Sequence, residues 1–444
     1  MENYIFTFSK EEDITTKVVE DFIDKHRASL HRYERLNNMY LGNYDILLQE
    51  QKAEYKPDNR LVVNYAKYLT DTFNGYFIGV PVQTSIEDSD LNANITEFRR
   101  LNSIEDIEAE ISKDADIYGH GFEYLYQDEE ANTRVTYVSP TNAFIVYDDT
   151  IAREPLFGVY YQLNGTDIKG ELLTKNEKIT LSGTLADIIF SDEEEHFYGD
   201  VPLIEYAENE ERKGIFESVE TLINTLNKVL SEKANDVDYF SDAYLKILGA
   251  DLDEQTLKTL RDNRVINLSG QNSEKVIVDF LDKPNADETQ ENLIDRLVDF
   301  IYQISMIANI NDDTFNSRTS GVALQYKLLP MSNLAMTKER KFKASMMRRY
   351  KMIFNLPTNV PANKKDDYIN IKMVFTRNVP NNIRDEVETA KGLASLTSQQ
   401  TALSVLSVVD SPLEEIERME KENSSKPLDY DFLKEIEEDE QENI

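Results

Sequence analysis

The sequence predicts a mixed α+β fold, and three observations predict it. Apolar residues recur at the helical spacing of three and four in the first third of the chain, in its middle and towards its end. Between residues 119 and 190 the pattern changes to short runs that alternate or stay apolar, separated by polar turns, as in strands. Residues 286–353 then carry two long helix patterns joined by a short polar loop.

Residues 11–41 place Ile14, Val18, Phe22, Ile23 and Leu30 on one face of an amphipathic helix. Residues 61–79 predict a buried helix, which Pro81 closes. A third helix is expected over 103–118, with Ser103 and Asp106 at capping-box spacing. Strands are expected at Phe122–Tyr126, Arg134–Val138, Ala143–Tyr147, Leu156–Gln162, Glu177–Leu181 and Asp187–Phe190, forming an antiparallel meander. Ser191–His196 reads as a charged loop. Residues 214–241 return to the helical period, a rod of about 40 Å. A small α/β module follows, with strands at Tyr244–Leu248, Arg264–Leu268 and Lys275–Phe280 and a helix over 253–262. The next helix, 286–308, has Leu293, Ile294, Leu297, Val298, Ile301 and Ile304 on one face. After the loop 309–320, a second helix starts at the Ser320/Gly321 cap and runs to Phe354. Tyr368–Thr376 is expected to complete the earlier sheet at long range. Residues 383–420 give one or two further helices, and Leu428–Ile444 is an acidic tail.

With 444 residues the chain is long enough for two or three cores. Its net charge of −35 repels nucleic acid at long range, unlike the basic footprint of an ordinary DNA binder. There is no cysteine, which excludes disulfides and thiolate metal sites and suits a reducing compartment. The first ten residues do not read as a signal peptide, and no apolar run approaches the roughly 20 residues of a membrane helix. The phosphate-loop, His-Glu-x-x-His and Gly-x-Ser-x-Gly motifs are absent. His26, His31, His120 and His196 are scattered. Asp236, Asp238 and Asp242 do not converge on a helix, and Asp148-Asp149 and Asp192–Glu195 read as a turn and a solvated loop. No catalytic residue, metal ligand or cofactor is expected.

The order of elements resembles the portal proteins of tailed double-stranded-DNA phages, in particular the family of long-tailed phages of Gram-positive bacteria. Residues Asn59–Pro81 resemble that family's N-terminal helix. Tyr118–Tyr126 with Val138–Phe144 resemble its first strands, and Ser231–Asp236 with Phe240–Leu245 the end of its first stem helix. Thr319–Leu329 with Lys338–Phe342 resemble the helix after its tunnel loop.

The resemblance implies a homo-oligomeric ring, usually of twelve subunits, at one capsid vertex of the virion, assembled in the host cytoplasm. Double-stranded DNA would pass through its axis during packaging and ejection. The partners implied are the terminase large subunit, a head–tail adaptor, and the major capsid and scaffolding proteins; no membrane is involved. Carried over by position, residues 1–213 with 355–382 form a wing. Helices 214–241 and 286–308 form a stem, 242–285 a clip, 309–320 a tunnel loop, 321–354 the long helix after it, and 383–444 a crown with the acidic tail. By itself the loop reads as a solvated connection. The resemblance makes Asn311, Asp312, Asp313, Thr314, Asn316, Ser317, Arg318 and Thr319 channel-facing groups. The basic run on the long helix (Lys338, Arg340, Lys341, Lys343, Arg348, Arg349 and Lys351) is expected either to meet acidic surfaces of a neighbouring subunit or to approach DNA phosphates. Two other classes stay open at this level: a different head–tail connector or structural protein, and an acidic enzyme with an unrecognised carboxylate site.

Overall fold

The computed structural model describes residues 5–53, 56–241, 245–248, 277–280, 287–310, 321–379, 383–406, 408–409 and 411–425. The chain divides into two compact units, Met1–Asn378 and Val379–Ile444.

In the first unit, strand β1 (Phe6–Phe8) precedes helix α1 (Thr16–Leu41). The Thr15 hydroxyl caps α1 by accepting from the Val18 amide. Gly42, at φ 87°, closes it in the left-handed conformation that glycine adopts without penalty. Val19, Phe22 and Ile23 face inwards and pack on Phe144, Phe157 and Val159 of the sheet below. Helix α2 (Tyr65–Ile78) begins four residues later than its apolar pattern predicts. The reason is tertiary. Residues 59–63 stay extended because Asn59, Leu61 and Val63 donate their amides to Asn235, Ser231 and Asn227, which lie four residues apart along one helix face.

Strand β2 (Gln83–Ser85) and helix α3 (Ser89–Leu101), capped by Asp88, follow. Helix α4 (Ile104–Tyr118) is present, but its expected capping box is not: Ser103 sits at φ 49° and its side chain makes no cap bond.

The strands do not form one meander. Strands β5 (Ala143–Asp148), β6 (Pro155–Asn164), β7 (Asp167–Leu173), β8 (Glu177–Thr184) and β9 (Asp187–Glu195) run antiparallel in sequence order. Strand β1 adds to β5 in parallel to give six strands. Strands β3 (His120–Gln127) and β4 (Thr133–Val138) join β10 (Leu203–Ala207) in a separate three-stranded sheet. The segment read as a charged loop, Ser191–His196, mostly belongs to β9, because backbone pairing with β8 continues to Glu195 whatever the side chains are. A second apolar cluster, including Phe122, Val138, Leu173, Val201 and Leu203, joins the two sheets.

Helix α5 (Glu220–Ser241) leads to strands β11 (Leu245–Leu248) and β12 (Ile277–Phe280), which pair antiparallel. The expected helix 253–262 and strand 264–268 lie outside the described residues. Helix α6 (Asp287–Ser305) packs on α5, and helix α7 (Gly321–Asn355) has Pro330 inside it. The late strand is shorter than expected: residues 362–370 form a 3-10 helix and only Lys372–Val374 is β13. It pairs with β2 and not with the larger sheets. In the second unit, helices α8 (Ile383–Ala394), α9 (Gln399–Leu403) and α10 (Pro412–Ser425) follow one another.

Candidate functional site at the root of the long helix

The seven basic residues between Lys338 and Lys351 of α7 go to different places. Lys338 is fully buried. Its ammonium lies 2.6 Å from Asp116 Oδ1 and 2.9 Å from Glu208 Oε2, and it donates to the Ser112 carbonyl. The rings of Phe73, Phe77 and Phe342 surround it, the nearest centroid 4.8 Å away. One ammonium thus faces two buried carboxylates. Burial, reinforced by Glu208, raises the Asp116 pKa well above the usual carboxylate range against the pull of Lys338.

Arg349 is also fully buried. Its guanidinium engages both oxygens of Glu123 and donates to Glu108 at 2.5 Å. Burial disfavours its charge, but Glu123, Tyr206 and Glu108 outweigh that and raise its pKa. Arg99 reaches Glu108 from α3, and the Tyr206 hydroxyl donates to Glu123.

The remaining basic groups are nearer the surface. Lys341 pairs with Glu210 at 2.6 Å, Arg348 with Asp200 at 2.7 Å, and Lys343 with Glu339 one turn away. Arg340 and Lys351 are exposed. For Lys338 and Arg349 the sequence expectation of a neighbouring subunit or DNA is therefore corrected: their acids come from α4, β3 and the residue after β10 of the same chain. A signal for this was legible. Glu108, Ser112 and Asp116 recur every fourth residue among Ile104, Ile107, Ile111 and Ala115, and an acid inside an apolar helix face needs a buried cation.

A second charge cluster adjoins the first. Arg32 of α1 holds Glu217 through two bonds, and donates to the carbonyls of Tyr118 and Arg212. Arg212 in turn holds both oxygens of Glu205 at 2.6 Å, and His120 and Tyr147 contact the same carboxylate. Burial pushes the Glu205 pKa up, but Arg212 and His120 together hold it below its ordinary value. Burial is also the main reason His120 is lowered. Ser345 of α7 donates to the Glu205 carbonyl, so the two clusters meet at the long helix. What this arrangement does is mechanical. Oriented ion pairs fix the C-terminal half of α7 in the first unit.

The other end of α7 is different. Pro330 has no amide hydrogen, so the Tyr326 carbonyl lacks its helical donor there. Before it Tyr326 and Leu329 are exposed; after it Met331 and Ala335 are buried, Met336 is exposed, and further on Phe342, Met346 and Tyr350 are buried. On α6, Leu297 and Ile301 are buried while Leu293, Phe300 and Ile304 are exposed. The eight candidate loop residues between Asn311 and Thr319 lie outside the described residues. Among the described residues, no group of three or more histidines and carboxylates is placed to hold a metal ion, and no helix is long and apolar enough to cross a membrane.

Residues 19–426 match the profile of a phage portal protein family, described as SPP1 Gp6-like. The chain belongs to the phage portal protein family. It is accordingly a structural component of the virion and functions as a portal protein. No curated protein sequence matches it. Among solved structures, this portal protein is similar to a chain in the neck of an empty GTA particle computed with C6 symmetry. The TM-score is 0.45 at 10% identity, covering 84% of this chain and 92% of that one.

Proposed function

We propose that this portal protein closes into a ring at one capsid vertex, twelve-fold on the family's usual count, and that double-stranded DNA is packaged and ejected through its axis. The carrying observation is the apolar surface left uncovered on α6 and the first half of α7. Leu293, Phe300 and Ile304 project from a helix whose other apolar face is already buried on its own subunit. A second seam of this kind needs a second partner. Head-to-tail contacts between copies close most simply into a ring.

In this reading α5 and α6 are stem helices and residues 242–285 are the clip that docks the terminase large subunit and later the head–tail adaptor. Residues 309–320 are the tunnel loop, where Asp312 and Asp313 repel phosphate and Arg318 grips it weakly. Residues 383–444 are the crown, and the wing, 1–213 with 355–382, meets the major capsid and scaffolding proteins. Assembly takes place in the host cytoplasm. The chain supplies no catalysis; the motor is a separate ATPase. Arg340 and Lys351, the two exposed cations of the run from Lys338 to Lys351, face the acidic flank of the next subunit. Native mass spectrometry of the purified protein and of portal vertices from particles is the test. A closed oligomer that dissociates on Leu293→Glu with Phe300→Glu is expected. Monomers or two-fold dimers only, in particles as well as in solution, overturn the ring.

A further inference from the structure

We propose that the cleft between the two sheets of the first unit is a docking site for an extended, proline-rich, basic peptide segment of another protein. The cleft has a volume of about 770 Å³. One wall is β3 and β4, the other is β6 to β9, and residues 196–202 close one side. The second apolar cluster, with Tyr124 and Tyr160 packed against it, links the two sheets.

Three properties of the lining point to this occupant. The first is aromatic surface. Tyr124, Tyr126, Tyr137, Tyr160 and Tyr198 all line the cleft, with the Tyr124 and Tyr126 rings 6.0 Å apart. Tyr126 and Tyr137 stay 40% and 44% exposed, much for rings of that size in a folded wall. Aromatic grooves of this kind take polyproline segments, whose pyrrolidine rings pack on tyrosine faces and whose fixed backbone loses little entropy on binding.

The second is unmet hydrogen bonding. Tyr198 is only 4% exposed and its hydroxyl has no partner, and the Nδ1 atom of the neighbouring His196 has none either. Buried polar groups are normally paired. Two other lining hydroxyls are already engaged: Tyr124 donates to Glu171, and Tyr160 accepts from Gln162. A polyproline backbone has no internal hydrogen bonds, so its carbonyls are free to accept from tyrosine hydroxyls.

The third is charge. Glu171, Glu194 and Glu195 line the cleft, and Asp192 and Glu193 continue the acidic strand β9. Lys178 is occupied by Glu194 at 2.8 Å, and Lys169 is the other lining cation. The excess of carboxylates favours basic residues in the segment. The assignment stands whether or not the chain forms a ring.

The probe is a short fluorescein-labelled peptide alternating proline and arginine, read by fluorescence anisotropy on the full chain in its native assembly. Two controls accompany it: a glycine–serine peptide with the same arginines, and a soluble oligosaccharide as competitor. Binding to the proline peptide alone is expected. Tyr198→Phe removes only an unpaired hydroxyl, so the fold is kept, and affinity should fall about three- to tenfold. Tyr126→Ala, at an exposed ring, should lower it at least tenfold. Equal binding of the glycine–serine peptide would reduce the cleft to a charged surface. Displacement by the oligosaccharide would make it a sugar site, and binding to isolated subunits but not to the assembly would make it a subunit contact. Any of these, no binding at all, or affinity untouched by both substitutions, overturns the proposal.

Discussion

At the scale of single residues, position outweighs charge type. Lys338 and Lys351 belong to one basic run, yet one is sealed among three aromatic rings and two carboxylates and the other lies in solvent. Replacing Lys338 by methionine strands Asp116 and Glu208 without a cation. A loss of about 3–5 kcal/mol is expected, and a similar loss for Arg349→Met. Arg340→Ala and Lys351→Ala should each change stability by no more than about 0.5 kcal/mol. Urea unfolding of the four variants measures the contrast. His26 offers a pH test. Its Nε2 bonds the Pro140 carbonyl at 2.8 Å and its Nδ1 the Tyr161 hydroxyl at 2.7 Å, and burial lowers its pKa from 6.5 to about 4. The unfolded chain therefore takes up this proton first. The stability that neutral His26 contributes is fully present above pH 6.5 and is lost as pH falls towards 4, by about 3 kcal/mol at most. Melting curves of His26→Gln and the parent chain should converge across that interval. A constant offset between them would show that His26 does not titrate this way.

At the scale of elements, long periodic segments were legible in the sequence and short ones were not. The helices now seen as α1, α5, α6 and α7 each carry an apolar stripe over several turns, which few other structures produce. Strands β1, β2 and β13 have three residues each, too few to show any period, and their pairing is decided by partners far away in sequence. Strand β10 was missed for the same want of local signal, whereas helix α3 was missed although Leu91, Ile95 and Phe98 keep helical spacing behind the Asp88 cap. Ser103 misled because a capping pair presumes an extended cap residue, and this one is left-handed. The acids around Lys338 were the readable part of the candidate site. A count of basic residues along α7 cannot tell which of them is inside; the acids of α4 can. Pro330 allows an element-level test. It lies between exposed Leu329 and buried Met331, and proline inside a helix costs roughly 3 kcal/mol. Pro330→Ala should raise the melting temperature of the subunit. If the proline lets the part of the helix before it move during DNA passage, the same variant should package less DNA per capsid. Unchanged packaging would leave Pro330 with no role in translocation.

At the scale of the whole molecule, the net charge of −35 acts as one field. Of the seven cations between Lys338 and Lys351 on α7, two are buried and three are paired, so little positive surface remains there to hold phosphate. Binding to free duplex DNA should be at or weaker than roughly 100 μM at physiological salt, and should weaken further as salt rises. Mobility shifts across a salt series measure this, and tight binding at high salt would locate the DNA on a surface other than α7. The buried pair Arg349–Glu108 has a further consequence, one of timing. Its members are 241 residues apart in the chain. On a ribosome adding about 5–20 residues per second, Glu108 waits roughly ten to fifty seconds for its arginine. Through that interval Glu108 has Arg99 of the preceding helix as its cation, and Asp116 still awaits Lys338. The buried charge cluster around α4 is thus complete only once the long helix has been made.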